Sequence, residues 1–299
     1  MSPPLENLAL RDRALTAMRA WFHGRGYIEV TTPARIAAPA PEPHIDCPRA
    51  GDAWLRASPE LQMKKLVAAG AERIFQIGPC FRAGERGRLH AEEFTMLEWY
   101  RRGVTARDIL AETEALLRHV AREATGATVV SHRGVTCDLA APWRVVTVRD
   151  AYRQWAGWDP LADFDQDRFD EDMALKVEPA LPKETPCVLY GYPRQAASLS
   201  RLSPDDPRVA ERWELYLCGV EVANAFGELT DGAEQRRRFE EARRERRALG
   251  EDDYPLDEDF LRALARGDFP DCGGIAVGID RFVMLLCGAD AISDAMPGQ

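Results

Sequence analysis

Two separated phrases of the chain constrain its fold more than any other feature. The first, at residues 78–100, reads GPCFRAGERGRLHAEEFTMLEWY, and the second, at residues 273–285, reads GGIAVGIDRFVML. In the first phrase, a polar loop rich in glycine and arginine separates two apolar runs, which predicts antiparallel strands at 73–82 and 94–100. In the second, small residues precede Arg281 and an apolar run, which predicts a closely packed backbone that leads into a helix.

The rest of the chain alternates helical periodicity with short apolar runs. Apolar residues at helical spacing predict helices at 5–26 and 105–125, and Ser58 as N-cap with Pro59 in the first turn predicts the start of a third helix. The other segments are predicted to be a strand at 27–33 ended by proline, an extended excursion at 33–53, short strands and loops at 143–200, and two antiparallel strands at 211–230. This order predicts an α+β fold, with an antiparallel sheet flanked by helices, in a single domain over residues 1–299.

Composition excludes several classes of protein. The chain is 45% hydrophobic and 29% charged, as in an ordinary soluble globular protein. Neither a signal peptide nor a membrane span is predicted, since no apolar run is long enough. Seven cysteines occur singly and without a CxxC pair, which favours reduced cytoplasmic thiols over a zinc site or a disulfide framework.

The charge balance bears on possible partners. The net charge is −10, whereas a protein that grips nucleic acid along its phosphates normally presents a basic face. The densest basic cluster, RRRFEEARRERR at 236–247, carries glutamates at helical spacing and is predicted to be a solvated helix with i,i+4 ion pairs. The sequence therefore gives no positive indication of RNA binding.

The two phrases carry the residues that activation of a carboxylate by ATP requires. Such a site must hold a bent triphosphate, neutralise its α-phosphate and align the carboxylate oxygen. Arg82 can bridge the α-phosphate and the carboxylate through its planar guanidinium, and Arg281 lies where a helix terminus favours phosphate. His90 can donate to the outer phosphates, and Phe94 offers a face for adenine that an arginine plane can cover.

A third cluster lies at 214–228. Glu214 and Glu221 are predicted to face one another across strands joined by the Cys218-Gly219 turn, and two carboxylates with phosphate oxygens suit Mg²⁺. Asn224, Phe226 and Glu228 alternate and therefore share one face. An acid beside an apolar wall suits a long side chain that ends in an amine.

These phrases resemble the catalytic domain of class II aminoacyl-tRNA synthetases, of the lysyl subclass. The segment ending at Pro33 resembles the first class II motif, which forms a dimer interface, and the two phrases resemble motifs two and three. SPEL at 58–61 and EVANAFGEL at 221–229 resemble the lysine-specific phrases. The likeness runs from about residue 10 to residue 290.

The chain leaves no room for the N-terminal anticodon-binding barrel of a lysyl-tRNA synthetase, because the helix of the first motif begins near residue 8. It is most similar to a truncated paralogue family, the elongation factor P–lysine ligases. That resemblance implies activation of lysine, preferentially (R)-β-lysine, as the adenylate and its transfer to the ε-amino group of one lysine on elongation factor P. It also implies ATP and Mg²⁺, a cytoplasmic homodimer, no membrane and no stable tRNA binding.

The resemblance also implies roles for individual residues. ATP would be bound by Arg82, Glu85, His90, Phe94, Glu214, Gly278 and Arg281, with Arg82 and Arg281 as catalytic residues. The amino acid would be bound by Ser58, Glu60, Glu98, Tyr100, Asn224, Phe226, Glu228 and Ala276, and Mg²⁺ by Glu214 and Glu221. Glu60 would take the amino group near the carboxylate, while Glu98, Tyr100 and Glu228 would surround the distal ammonium.

Some positions depart from the synthetase pattern. Ala276 stands where synthetases for α-lysine usually have glycine, and one methyl group is worth about 1–3 kcal/mol of discrimination. Gly84 stands where the synthetase motif has glutamate, HAEEF replaces HNPEF, and Ala225 replaces glycine and is expected to narrow the pocket. These departures leave open which amino acid is preferred.

Two alternatives to the elongation factor P ligase remain open at this level. One is a lysine-adenylating ligase for another acceptor, either a carrier protein or a tRNA. The other is a non-catalytic regulatory paralogue, against which the joint presence of Arg82, Arg281, Glu214 and Glu221 argues.

Overall fold

The computed structural model describes residues 3–266 and 269–297, so both ends of the predicted 1–299 domain lie outside the described residues. In this part of the chain the strands are β1 (Ile28–Glu29), β2 (Arg35–Ile36), β3 (Arg49–Ala50), β4 (Ala53–Leu55), β5 (Arg73–Phe81), β6 (Glu93–Arg102), β7 (Val129–His132), β8 (Val135–Asp138), β9 (Arg144–Thr147), β10 (Cys187–Pro193), β11 (Val209–Leu217), β12 (Val220–Gly227) and β13 (Cys272–Gly278). The helices are α1 (Leu5–His23), α2 (Glu60–Ala68), α3 (Ala106–Thr125), α4 (Val148–Ala151), α5 (Gln166–Asp172), α6 (Glu178–Ala180), α7 (Gly232–Leu249), α8 (Glu258–Ala265) and α9 (Ile279–Leu286).

Eight strands form the central sheet, in the order β1-β5-β6-β13-β12-β11-β10-β9. The six inner strands are antiparallel, as predicted, but β1 and β9 pair in parallel at the two edges, so the sheet is mixed. The third-motif strand β13 lies between β6 and β12. This order places both predicted phrases on adjacent strands at the centre of the sheet.

One side of the sheet is covered by the long helices. Helix α3 begins with a capping box, in which Thr105 and Asp108 exchange backbone and side-chain hydrogen bonds, and it ends at the left-handed Gly126. It packs against α1, and both helices share the main apolar core with α9. Asp280 of α9 accepts hydrogen bonds from Arg11 of α1 and from the backbone of Thr95 in β6, both at 2.5 Å. This buried contact ties the first helix to the end of the chain.

Several predicted boundaries differ from the structure. The strand predicted at 27–33 is reduced to β1, and the excursion at 33–53 folds into a small sheet of β2, β4 and β3. The segment 143–200 was expected to be strands and loops, which is wrong in part because it holds α4, α5, α6 and two π-helical turns. Those helical pieces surround a satellite core of aromatic residues in which the rings of Tyr152 and Phe169 stack at 4.7 Å.

Helix α7 confirms the prediction of a solvated, ion-paired helix, with one exception. Arg237 pairs with Glu241 at 2.5 Å and Arg238 pairs with Glu234 at 2.8 Å. Arg246, however, is fully buried, and its guanidinium donates to the carbonyl oxygens of Glu42 and Ile45 and to Asp46. The helix therefore anchors the loop at 42–46.

Among the helices of the described residues, none has both the length and the apolar character that a membrane crossing requires.

Candidate active site

A cavity of about 340 Å³ lies on the open face of the central sheet. All sixteen residues predicted for the site line it, namely Ser58, Glu60, Arg82, Glu85, His90, Phe94, Glu98, Tyr100, Glu214, Glu221, Asn224, Phe226, Glu228, Ala276, Gly278 and Arg281. They come from β6, β11, β12, β13, α2 and α9, from the residues just before α2, and from the segments that follow β5 and β12. The structure brings these residues together, and their individual roles stay predictions.

Arginines form one end of the cavity. Arg82 follows β5, and its guanidinium carbon lies 5.3 Å from the centre of the Phe94 ring, while its Nη1 lies 3.5 Å from Glu85. The loop between β5 and β6 is closed by a hydrogen bond from the Arg82 amide to the Glu92 carbonyl. The guanidinium therefore lies against the aromatic face that was predicted to hold adenine.

Arg281 lies in the first turn of α9 and contacts two further predicted residues. Its Nη2 lies 2.8 Å from His90 Nε2, and its Nη1 donates to the backbone and side chain of Glu221 at 2.9 and 3.2 Å. Desolvation and the Arg281 charge lower the pKa of His90, so its neutral ring accepts from the guanidinium. Arg281 and Arg82 give this end of the cavity its positive charge.

Two carboxylates lie between the ends of the cavity. Their predicted pairing face to face is wrong, because Glu214 pairs with Asn224 and Glu221 pairs with Tyr216, with a bulge between them. The predicted Cys218-Gly219 turn is present, with φ values of 52° and 78°. Both carboxylates still line the cavity, and burial and the Glu214 charge raise the pKa of Glu221.

Glu214 already has close partners. Its Oε1 accepts from Arg212 at 2.6 Å, and its Oε2 accepts from Tyr192 at 2.5 Å and from Tyr216 at 2.9 Å. Within the described residues, no group of three or more histidine, cysteine, aspartate or glutamate side chains could hold a metal ion. A cation held by Glu214 and Glu221 would therefore need further ligands that the protein does not supply.

Acidic residues form the other end of the cavity. Glu98 on β6 accepts from Ser58 at 2.6 Å and from Tyr100 at 3.0 Å, and Ser58 also accepts from the Glu60 amide at 2.9 Å. The helix itself starts one residue later than predicted, with Pro59 as its N-cap. Burial, and after it the Glu60 charge, raises the pKa of Glu98 to about 8. Carboxylates that are buried in this way favour a cation that can pair with them.

Lys64 lies within this acidic end. It is 1% exposed, contacts Glu60 one turn earlier on α2, and has its Nζ 2.5 Å from Glu228 Oε2. Burial lowers the pKa of Lys64, but the two carboxylates outweigh burial and raise it overall. Burial also raises the pKa of Glu228, to about 8, against the opposing effect of Lys64. Glu60 and Glu228 thus share the Lys64 ammonium, and Glu98 adds a third carboxyl group to this end of the cavity.

The backbone of β13 passes close to this acidic end. A Cβ atom at Gly274 would lie 2.2 Å from Glu228 Oε1 and 2.3 Å from the Tyr100 ring, so only glycine fits there. Among the described residues, Glu228 Oε1 has no hydrogen-bond partner although the side chain is fully buried. An unpaired buried acceptor is costly unless a donor reaches it. A ligand ammonium would supply that donor.

Between the two ends, Ala276 lies opposite Glu98 on β6 and Asn224 on β12. Asn224 and Phe226 line the cavity with it. The expectation that Ala225 narrows the pocket is wrong, because strand alternation places Ala225 in the main core on the other side of the sheet. The floor of the cavity at this point is therefore shaped by Ala276.

Sequence reasoning missed three charged residues that lie within the site. Lys64 follows Glu60 by four residues on a helix, and that spacing was a readable signal of an ion pair. Arg212 is two residues before Glu214 on the same strand and therefore shares its face, which was also readable. Glu42 lines the cavity from a proline-rich loop whose sequence gives no indication of its position.

The sequence of the chain is similar to those of known proteins. Residues 4–297 match the sequence model of the family described as tRNA synthetases class II (D, K and N). The chain is 38% identical to the elongation factor P–(R)-β-lysine ligase of Photorhabdus laumondii, over 99% of this chain and 95% of that protein. It is 37% and 36% identical to the proteins of the same name from Edwardsiella ictaluri and Proteus mirabilis, with the same coverage of each chain.

Proposed function

This chain belongs to the family of class II tRNA synthetases (D, K and N), and we propose that it is an elongation factor P–(R)-β-lysine ligase. It would activate (R)-β-lysine, or lysine, with ATP as the aminoacyl-adenylate and transfer it to the ε-amino group of one lysine on elongation factor P. The observation that carries this proposal is the division of the cavity into an arginine end and an acidic end. An amino acid with a second, distal ammonium group matches that division of charge.

The acidic end supports a substrate with two ammonium groups. Glu60, Glu98 and Glu228 with Lys64 leave a net charge of about two negative units when all four are ionised, and lysine and β-lysine each carry two ammonium groups. One ammonium group would pair with Glu60, and the distal one with Glu98 and Glu228. Tyr100 and Ser58 would hold Glu98 in position through their hydrogen bonds.

The arginine end supports ATP. Arg82 would bridge the α-phosphate and the carboxylate, and Arg281 with His90 would bind the outer phosphates. In this arrangement adenine would lie on Phe94, which requires the Arg82 guanidinium to share or leave the ring that it contacts at 5.3 Å. The Gly278 backbone at the start of α9 would allow the phosphates to approach closely.

Mg²⁺ is part of this proposal, with Glu214 and Glu221 as its protein ligands. Two neighbouring carboxylates, of which the Glu214 charge raises the pKa of Glu221, fit a divalent cation, and Mg²⁺ takes its remaining ligands from water and substrate phosphates. When bound, it would neutralise charge on the triphosphate. Glu214 would have to exchange one of its contacts with Tyr192, Tyr216 or Arg212 for the metal.

Four further statements belong to the same proposal. The chain would act as one catalytic domain over residues 1–299, as a homodimer through the first-motif segment, in the cytoplasm, and without stable tRNA binding. The net charge of −10 supports the last of these. Symmetric dimers are the commonest assembly of soluble proteins, which supports the second.

Pyrophosphate exchange tests the proposal. The protein is assayed for ATP–pyrophosphate exchange with (R)-β-lysine, (S)-β-lysine and α-lysine, each with and without elongation factor P. We expect exchange with β-lysine, followed by a matching mass increase on elongation factor P. Exchange without any labelled elongation factor P would indicate another acceptor, and no exchange with all three amino acids would indicate a non-catalytic paralogue.

A further inference from the structure

A second cavity, of about 690 Å³, adjoins the active-site cavity. Its walls are α7, α5 and the segments at 41–44 and 194–199. The two cavities share the lining residues Glu42, Arg212, Glu214 and Glu221. The two cavities therefore adjoin, and these four side chains lie between the substrate site and the space between α7 and α5.

Glu42 lies at this junction. The charged groups that face it are Glu60 and Lys64 from α2, Arg82 after β5, and Arg212 from β11. The proposed substrate orientation places the amino group next to the reacting carboxyl at Glu60 and the α-phosphate at Arg82. The carbonyl that is activated would lie between those two points, in the cavity that Glu42 also lines.

Glu42 has few contacts of its own. Its Oε2 lies 3.5 Å from the Ser198 hydroxyl, which is a weak contact, whereas its backbone carbonyl is fixed by Arg246. Burial raises the pKa of Glu42, and the Glu60 charge raises it further, against the opposing charges of Arg82, Arg212 and Lys64. A carboxylate with a raised pKa is better matched to proton transfer near neutral pH than an ordinary one.

The charged residues that line the second cavity favour binding of a cationic group. Seven acidic side chains and four arginines line it. Two of the arginines, Arg237 and Arg238, are paired with Glu234 on their own helix, and Arg212 is paired with Glu214. A cavity with this surplus of carboxylates attracts an ammonium group.

We propose that the second cavity is the route by which the acceptor lysine reaches the bound adenylate, and that Glu42 accepts the proton from its ammonium group. This inference rests on the proposed function and adds a catalytic base and an access route to it. The acceptor side chain is long and thin and carries one positive charge at its tip, which matches an acidic passage.

The transfer step then balances as follows. The acceptor ammonium gives one proton to the Glu42 carboxylate, and the resulting amine nitrogen attacks the carbonyl carbon of the adenylate. A C–N bond forms, and the C–O bond to the phosphate breaks with its electron pair going to AMP. The nitrogen loses its second proton to water, and Glu42 returns its proton to water through the second cavity.

Single-turnover transfer from a preformed adenylate tests this inference. Enzyme loaded with the adenylate of (R)-β-lysine is mixed with elongation factor P, and the rate of label transfer is measured between pH 6 and pH 9 for wild type and Glu42→Gln. We expect the transfer rate of Glu42→Gln to fall about 10²-fold, which is typical for a general base, and far more than its pyrophosphate exchange. Glu240→Gln is the matched control, since it makes the same change of charge at an exposed position of α7 that lines neither cavity.

Hydroxylamine separates a base from a residue that only positions substrate. It is small and largely unprotonated at neutral pH, so its attack on the adenylate needs no base from the protein. We expect hydroxylamine to discharge the Glu42→Gln adenylate within about threefold of the wild-type rate. An equal loss with hydroxylamine and elongation factor P, an equal loss of exchange and transfer, or undiminished transfer would each overturn the inference. A wild-type enzyme that cannot label elongation factor P would instead refute the proposed function.

Discussion

Replacing Lys64 with methionine tests whether the acidic end of the cavity is balanced for two incoming ammonium groups. Methionine keeps most of the length and the apolar stem of the lysine side chain and removes its charge and its hydrogen-bond donors. Lys64 is buried beside Glu60 and Glu228, so no other cation of comparable position replaces it within the described residues. The variant leaves Glu60 and Glu228 without their counter-ion.

The size of the effect follows from the contact distance. Lys64 Nζ lies 2.5 Å from Glu228 Oε2, and two unit charges whose centres lie about 4 Å apart attract each other by about 4 kcal/mol at an effective dielectric constant near 20. One pKa unit corresponds to about 1.4 kcal/mol, so this loss, shared between the two carboxylates, raises the pKa of Glu228 by roughly one to two units. Breaking a buried pair also costs about 3–5 kcal/mol of stability.

The pH dependence has a definite sign. Glu98 and Glu228 have pKa values raised to about 8, so below that pH both carboxyl groups are increasingly protonated before the amino acid binds. Binding of an ammonium group requires their ionised forms, and kcat/KM for the amino acid therefore falls as the pH drops below about 8 in the wild type. In Lys64→Met the same fall begins roughly one to two pH units higher, because the pKa values have risen.

The assay is pyrophosphate exchange with (R)-β-lysine from pH 6 to pH 10, with KM and kcat resolved at each pH. At pH 7 we expect KM in Lys64→Met to rise roughly 10–100-fold with a much smaller change in kcat. Lys64→Arg keeps the charge and should keep the wild-type profile. Lys65→Met is the matched control, because Lys65 follows on the same helix but pairs with Asp257 outside the cavity.

The reasoning is refuted if the acid limb of Lys64→Met coincides with that of the wild type. A lower melting temperature with an unshifted pH profile would mean that Lys64 only stabilises the fold. An acid limb that moves equally in Lys65→Met would mean that helix α2, rather than the Lys64 charge, is responsible.

Three further predictions address other parts of the cavity. Arg82→Ala should lower pyrophosphate exchange about 10²–10³-fold, as loss of a preorganised charge typically does. Arg73→Ala, at the start of β5 and outside the cavity, should leave exchange near wild type. Equal rates for both variants would remove Arg82 from its assigned role. Ala276→Gly should improve the use of α-lysine relative to β-lysine by roughly 10-fold in the ratio of kcat/KM values, and an unchanged ratio would count against this position in the pocket. Gly274→Ala should abolish saturation by the amino acid, because the added Cβ overlaps Glu228 and Tyr100. Gly273→Ala is the control: its Cβ meets Ile109 on the other face of the sheet, so it should lower the melting temperature with less effect on KM.

The sequence predicted the parts of the fold in which local and long-range signals agree. The hairpin of β5 and β6, the turn at Cys218-Gly219 and the helix α3 carry periodicity, turn chemistry or a capping box that needs no tertiary information. Residues 27–33 and 143–200 were less predictable, since β1 is completed by a parallel neighbour and the π-helical turns pack around the stacked ring of Tyr152. Propensity alone does not contain such contacts.

The candidate site was predictable where a motif fixed both the residue type and its strand. All the predicted residues line one cavity, yet the pairing of Glu214 with Glu221 failed because the turn at Cys218-Gly219 places Tyr216 opposite Glu221, and a bulge beyond it places Asn224 opposite Glu214. Lys64 was missed because a buried lysine among acids looks, in sequence, like an ordinary i,i+4 surface pair. Glu42 was missed because its place depends on how a loop is held by a distant helix.

That loop is held by Arg246, which makes α7 and the segment 42–46 one cooperative unit. Its buried guanidinium donates to two loop carbonyls and to Asp46, and it also stacks on Tyr254 at 4.3 Å. A local opening that releases the helix must break these contacts together, so the amide hydrogens of α7 and of the loop should exchange with solvent at a common rate. The width of the second cavity then depends on α7 and the segment 42–46 together, and a substitution in the last turn of α7 would change the position of Glu42.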